Sequence, residues 1–123
     1  MKKSIVKDKS FEFALLIIDV YKSLQLHKEF VISKQLLRSG TSIGANINEA
    51  IAAEIKADFI HKMSISSKEA RETSYWLELL DESRFVNIDF SQTRAKCAEL
   101  VRLLTSIIKT SKLNSNIPIT KNS

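Results

Sequence analysis

Between Phe11 and Lys112 the chain contains two glycines and no proline, so little in it interrupts regular secondary structure. Glycine and proline are the residues that most often mark turns and end helices or strands. A sheet of several strands would need more of them. The 123-residue chain is therefore predicted to be one all-α domain of long helices, with a bundle over residues 1–113 and a disordered tail over residues 114–123.

Apolar residues recur at helical spacing in four segments of the chain. Leu36, Gly40, Ile43, Ile47 and Ala50 alternate four and three residues apart, which is the spacing of a bundle core. The four helices are predicted from about Lys9 to Gln25, from Ile32 or Ser33 to Ala53, from near Ala57 to Ser83, and from Phe90 or Ser91 to Lys112.

The second predicted helix has an unusual composition, because no charged side chain occurs from Ser39 to Asn48. An ordinary surface helix has one apolar stripe and a charged opposite face. Here Gly, Ser, Thr and Asn occupy the positions outside the apolar stripe, which suits a helix packed against protein on all sides. Gly40 and Gly44 each cost about 1 kcal/mol of helix propensity relative to alanine. We expect the close approach of a neighbouring helix to compensate.

Helices 1 and 3 carry more apolar surface than a lone bundle would bury. Helix 1 is apolar around most of its girth and has only a narrow polar edge. Helix 3 has a second apolar stripe, more than a quarter turn away from the apolar stripe that is predicted to face the core. Both features favour a bundle subunit in an oligomer. The residues predicted to lie in the oligomer interface are Gly40, Gly44, Ile65, Trp76 and Leu79.

A polar stripe lies beside the apolar stripe of helix 2. If buried, its side chains need partners, since an unpaired buried polar group costs about 1–3 kcal/mol. Thr73 and two glutamates on helix 3 are the nearest chemical matches. The preferred interpretation is a polar network that fixes helix register and subunit pairing; a shallow ligand or RNA contact and incidental exposure to solvent are the alternatives. The residues of this network are Arg38, Ser42, Asn46, Glu49, Glu69 and Glu72.

No motif for catalysis, metal binding or cofactor binding stands out. Asp58 and His61 have the spacing of a ferritin-like ligand pair, but a di-iron site needs two such motifs and two further carboxylates. Glu69 and Glu72 could in principle act as acid and base, although an ion pair with Arg38 is the preferred interpretation. We therefore expect no enzymatic activity, no metal, no cofactor and no small-molecule substrate.

The net charge of +5 is concentrated at the two ends of the chain. Residues 1–10 and residues 109–123 each carry a net charge of +3, whereas the body between them has 12 basic and 13 acidic residues. Repeated in every subunit of an oligomer, these basic ends would attract polyanions. Tyr75 and Trp76 could stack on bases, although a core or interface role is preferred for Trp76. The candidate nucleic-acid-binding residues of the body are Lys34, Arg38, Lys62, Lys68 and Arg71.

Two features of the sequence predict a cytoplasmic protein without a membrane contact. No apolar run reaches the roughly 18–20 residues of a membrane span. The basic N-terminus meets Asp8 and Lys9 where a signal peptide would be apolar. The single cysteine, Cys97, lies on an apolar helical face and is expected to be a small buried residue.

Two segments, Gln35–Ala50 and Lys68–Leu80, resemble the bacterial family of 23S rRNA intervening-sequence proteins. Asp58-Phe-Ile-His-Lys62 lies between them and adds to the resemblance. The most specific part is the pattern Arg-Ser-x-x-Ser-Ile-x-Ala-Asn-Ile-x-Glu, which begins at Arg38, and the whole resemblance covers roughly residues 8–112. It implies an antiparallel up-down four-helix bundle that assembles into a homopentamer.

The resemblance implies a function only in outline. Similar proteins are encoded in intervening sequences within 23S rRNA genes or elsewhere in bacterial genomes. A related protein, the accessory protein of diversity-generating retroelements, is a pentamer that binds a reverse transcriptase and RNA. The expected function is therefore a non-enzymatic pentamer that binds RNA or a nucleic-acid-processing protein. A protein–protein adaptor or scaffold without nucleic-acid affinity is the alternative, and an enzyme using the polar residues of helices 2 and 3 is a third possibility.

Overall fold

The computed structural model describes residues 4–116, in which it contains four helices and no strand. The all-α prediction is confirmed, and each predicted helix is present. None of the helices within the described residues combines the length and the apolar character of a membrane span. The helices are α1 (Ile5–Leu26), α2 (Ile32–Ile51), α3 (Lys56–Ser83) and α4 (Ser91–Asn116).

Contacts between consecutive helices show that neighbours in the chain run antiparallel. Arg38, early in α2, pairs with Glu69 and Glu72 in the later part of α3. Glu49, near the end of α2, pairs with Lys62 near the start of α3. The same reversed order holds between α1 and α2 and between α3 and α4. Because α4 also lies against α1, the helices close into an up-down four-helix bundle.

The core runs along the bundle axis and takes one apolar stripe from each helix. All five core positions predicted on α2 are buried. Removing a single buried leucine or isoleucine side chain from such a core costs about 2–5 kcal/mol. The largest fully buried side chains of the other helices and of the connection before α4 are Phe13, Ile17, Leu24, Met63, Leu77, Leu80, Phe90, Leu100 and Leu104.

Gly40 and Gly44 allow α1 to approach α2 closely within one chain. A Cβ atom added to Gly40 would lie 2.8 Å from Cγ1 and 2.9 Å from Cγ2 of Ile17. A Cβ atom added to Gly44 would lie 3.2 Å from Oγ of Ser10. The helix that compensates for the two glycines is therefore α1 of the same chain. Both residues were predicted as interface candidates, but they are buried in the α1–α2 packing and not on a surface that a second subunit could contact.

Replacing Gly40 with alanine is expected to lower the free energy of unfolding by about 1 kcal/mol. Overpacking against the fully buried Ile17 costs about 1–3 kcal/mol, and the gain in helix propensity recovers about 1 kcal/mol of it. Gly44→Ala is the matched control and is expected to be nearly neutral, because the gain in helix propensity offsets the smaller overlap of its new methyl group with Oγ of Ser10. Urea unfolding followed by circular dichroism compares them; a Gly44→Ala variant that is less stable than Gly40→Ala would contradict this packing.

The helix boundaries differ from the predicted ones mainly toward the ends of the chain. α1 begins at Ile5 instead of near Lys9, because the Ser4 hydroxyl accepts a hydrogen bond from the backbone N–H of Lys7 and caps the helix (3.2 Å). α4 continues to Asn116, beyond the predicted end at Lys112. The rest of the predicted tail, residues 117–123, lies outside the described residues, as do residues 1–3.

Candidate nucleic-acid interface

Three of the six predicted network residues come together where α2 packs on α3. Nη1 of Arg38 donates to Oε1 of Glu69 at 3.1 Å, and Nη2 of the same guanidinium donates to Oε2 of Glu72. Nε1 of the Trp76 indole donates to that same Oε2 atom at 2.9 Å. We call Arg38, Glu69, Glu72 and Trp76 the polar cluster. Because its side chains are only partly buried, it aligns the two helices more than it stabilises them.

The other predicted network residues do not join the polar cluster. Oε1 of Glu49 accepts a hydrogen bond from Nζ of Lys62 at 2.8 Å, and this contact raises the pKa of the lysine. The Ser42 hydroxyl donates to the carbonyl oxygen of Arg38, and Nδ2 of Asn46 donates to the carbonyl oxygen of Ser42. Ser42 and Asn46 therefore make hydrogen bonds to the backbone of their own helix.

The buried polar contacts between α2 and α3 are made by small hydroxyl side chains. Oγ1 of Thr73 lies 2.9 Å from Oγ of Ser39, and both residues are fully buried. Oγ of Ser66 donates to the carbonyl oxygen of Ile43 at 2.8 Å. The sequence pointed to Thr73 as a partner for the polar stripe of helix 2, to which Ser39 belongs, but not to Ser66. Small side chains at these positions let the two helices pack closely while each hydroxyl keeps a partner.

Part of the apolar surface of α1 is left exposed on the bundle. Phe11, Leu15 and Ile18 occupy one face at i, i+4 and i+7, with exposed fractions of 64%, 51% and 36%. We call these three residues the α1 outer stripe. The surplus apolar surface of helix 1 was predicted from the sequence, but its residues were not among the interface candidates. The candidates on α3 are half-buried on the bundle surface: Ile65, Trp76 and Leu79.

The five predicted nucleic-acid-binding residues do not form one surface. Arg38 and Lys62 are paired with carboxylates. The other three are exposed, and within the part of the chain that the structure describes they form no ion pair: Lys34, Lys68 and Arg71. Arg71 lies at the edge of α3 that faces α4, where its Nη2 donates to Oγ1 of Thr105 at 3.2 Å.

An open groove of about 440 Å³ lies between α3 and α4 beside Arg71. Aliphatic and basic side chains dominate its lining, and it contains no acidic residue. One signal for this groove was present in the sequence, since no acidic residue occurs from Val101 to Asn114. The two lysines of this segment, Lys109 and Lys112, were predicted only as part of the basic C-terminal end of the chain. We call this feature the α3–α4 groove, and the residues that line it include Arg71, Thr105, Ile108, Lys109, Lys112 and Leu113.

The two residues with ferritin-like spacing, Asp58 and His61, are both exposed near the start of α3. Within residues 4–116, no three or more His, Cys, Asp or Glu side chains gather in a group that could hold a metal ion. Cys97 is fully buried, and its thiol donates to the carbonyl oxygen of Ala70 at 3.4 Å. Burial raises the pKa of the Cys97 thiol to about 12.

Cys97 is expected to be inert toward Ellman's reagent in the folded protein at about pH 8 and to react at once in urea, because the thiolate is the reactive form. The raised pKa also determines how the stability of the fold changes with pH. The folded state favours the protonated thiol, so stability is fully present below the ordinary pKa of 9.0 and declines as the pH rises from there toward about 12. Rapid labelling of the native protein would contradict the burial of this side chain.

Comparison with known proteins identifies the family of the chain and a solved structure with a similar fold. Residues 2–106 match the family described as 23S rRNA-intervening sequence protein. The chain is also similar to the crystal structure of a protein with unknown function from the S23 ribosomal protein family of Bacteroides thetaiotaomicron. The two share 53% sequence identity over 85% of this chain and 99% of that chain, with a TM-score of 0.81. Among curated proteins, none matches. The chain therefore belongs to the family of 23S rRNA-intervening sequence proteins.

Proposed function

We propose that this protein is a non-enzymatic, cytoplasmic homo-oligomer that binds RNA or a protein that processes nucleic acid. The name of its family concerns 23S rRNA, which directs the proposal toward RNA. The observation that carries it is the segregation of positive charge on the bundle. From Val101 to Asn114, α4 has three basic residues and no acidic one, so this part of the surface favours a polyanionic partner.

The ion pairs of the bundle support this interpretation, because they account for other basic residues. Each of three basic residues pairs with a carboxylate on a neighbouring helix: Arg38, Lys62 and Arg94. Their charges are balanced within the protein. The basic residues without such a partner in the described part of the chain are therefore the ones that are available to phosphate groups.

We infer further that copies of the chain assemble into a homopentamer, a number that rests on the family resemblance. A closed ring requires heterologous contacts, in which one patch of a subunit meets a different patch of the next. The α1 outer stripe would be one such patch, and the half-buried Ile65, Trp76 and Leu79 on α3 are candidates for the other. Five copies would present five basic surfaces and so raise the avidity for a long polyanion.

Binding of the purified protein to structured 23S rRNA fragments and to scrambled RNA of equal length tests the proposed function. The measurement is made across a salt series, because contacts to phosphates alone weaken steeply with salt. A component specific for the rRNA fragments is expected to survive at about 150 mM salt. Loss of all binding at that point, or equal binding of every RNA, would contradict RNA recognition. Binding to a protein partner would then be the favoured interpretation, either to a nucleic-acid-processing protein or as an adaptor or scaffold without nucleic-acid affinity.

A further inference from the structure

We propose that the α3–α4 groove binds the phosphodiester backbone of single-stranded RNA. The proposal rests on the proposed function and names the surface that carries it. Arg71 from α3 and Lys109 and Lys112 from α4 supply three cations that converge on one groove from two helices. The predicted candidate residues on α2 are not part of this surface.

The hydrogen bond between Arg71 and Thr105 places the guanidinium group at the groove. It uses one N–H of Arg71, at 3.2 Å from Oγ1 of Thr105. A guanidinium has five N–H donors, so four can still donate to phosphate oxygens. Lys109 and Lys112 are three residues apart on α4 and are therefore neighbours on the helix surface. A backbone that follows the groove would meet all three cations.

The polar cluster keeps the nearest carboxylates away from this groove. Glu69 and Glu72 flank Arg71 in the sequence, yet both point toward α2, where they pair with Arg38. The two carboxylates nearest to Arg71 in the sequence therefore face α2, whereas Arg71 faces α4. Farther along α3, Asp81 and Glu82 also reach α4, where they pair with Arg94. On α4, Glu99 is the last acidic residue and pairs with Lys9 of α1. Within the described residues, no carboxylate competes with phosphate at the groove.

The apolar part of the lining favours a single strand over a duplex. Ile108 and the exposed Leu113 offer aliphatic contact surface, which suits sugars and unstacked bases. A duplex keeps its base faces stacked inside and presents only its backbone and groove edges. Tyr75 lies one helical turn after Arg71, is 54% exposed and packs edge-on against Trp76 with ring centroids 5.2 Å apart. Tyr75 does not line the groove itself, so it would offer a stacking surface only to a strand that continues past Arg71.

The test compares two triple variants of equal net charge. The site variant combines Arg71→Gln, Lys109→Gln and Lys112→Gln. The control variant combines three exposed lysines that do not line the groove, as Lys22→Gln, Lys56→Gln and Lys96→Gln. Fluorescence anisotropy with a labelled single-stranded RNA of mixed sequence measures affinity across a salt series, and circular dichroism melting confirms that each variant is folded.

Loss of three phosphate contacts is expected to reduce the slope of log affinity against log salt by about 2 and to weaken binding about 100-fold at about 100 mM salt. The control variant should retain the slope of the unmodified protein. If the triple site variant does not fold, Lys109→Gln alone should weaken binding about 5-fold at the same salt concentration. Equal losses in site and control variants would overturn the groove assignment and leave the proposed function standing.

Other outcomes overturn different parts of the proposal. Failure of the unmodified protein to bind any RNA at low salt would remove the RNA-binding part of the proposed function together with the site. Equal affinity for duplex and single-stranded RNA would overturn the preference for a single strand. A polyglutamate peptide that binds the unmodified protein but not the site variant, with no RNA binding, would assign the groove to an acidic segment of a partner protein.

Discussion

Replacing Glu29 with alanine is expected to lower the free energy of unfolding by about 3 kcal/mol, which combines the loss of a helix cap with the exposure of unpaired buried donors. The Glu29 side chain is only 5% exposed. Its carboxylate accepts hydrogen bonds from the backbone N–H groups of Val31, Ile32 and Ser33, at 3.2, 3.0 and 2.6 Å. These groups have no partner within α2, and the positive end of the helix dipole favours an anion there.

Two further variants isolate the cause of the Glu29 effect. Glu29→Gln retains one side-chain oxygen acceptor but not the charge, so a loss of about 1 kcal/mol is expected. Glu12→Ala removes an exposed glutamate from α1 and should change stability by less than about 0.5 kcal/mol. Urea unfolding at one fixed protein concentration compares the three variants, because the proposed assembly would also contribute to apparent stability. A Glu29→Ala variant as stable as Glu12→Ala would show that the cap is dispensable.

Combining Phe11→Glu with Leu15→Glu is expected to convert the proposed oligomer into folded monomers. Burying a large apolar side chain contributes about 1.5–3 kcal/mol, so the two changes remove about 5 kcal/mol from each interface. That corresponds to a dissociation constant more than a thousand times higher, on the scale of about 1.4 kcal/mol per tenfold change. Both side chains are exposed on the single chain, so the bundle itself should be little affected. Light scattering coupled to size-exclusion chromatography over a concentration series measures the assembly.

The control for the α1 outer stripe places the same charges on exposed apolar residues elsewhere. Val31→Glu with Phe85→Glu changes two residues that are 75% and 68% exposed and lie in the connections before α2 and α4, outside α1. This double variant should keep the assembly of the unmodified protein. Dissociation by the control pair alone would move the interface to that end of the bundle. An unmodified protein that is monomeric at every concentration would contradict the proposed assembly itself.

The helices were predictable because each has one apolar stripe of helical period and because few residues interrupt the chain. The same period placed Leu36, Ile43 and Ile47 in the core, where the structure has them. The start of α1 was less accessible, since Ser4 and Lys7 lie in a short polar segment whose capping hydrogen bond leaves no apolar signal. Whether such a cap forms depends on the backbone conformation around a single serine.

Features that depend on which helix lies beside which could not be predicted from periodicity. The glycines of α2 required a close neighbour, but only the fold shows that Ile17 and Ser10 of the same chain supply it. Glu29 lies in a connection and acts on a helix that begins three residues later, without a Ser, Thr, Asp or Asn at the usual capping position. The α3–α4 groove likewise draws its cations from helices that are separate in sequence.

The order of the helices around the bundle also determines how the chain can reach its folded state. Three of the four helix–helix contacts join helices that follow one another in the chain, so they close short loops and lose little chain entropy. Among residues 4–116, only the contact of α1 with α4, where Lys9 meets Glu99, must bring distant helices together. A topology of mostly local contacts is typical of proteins that fold rapidly. The seam between α1 and α4 is therefore the step of folding that we expect to come last.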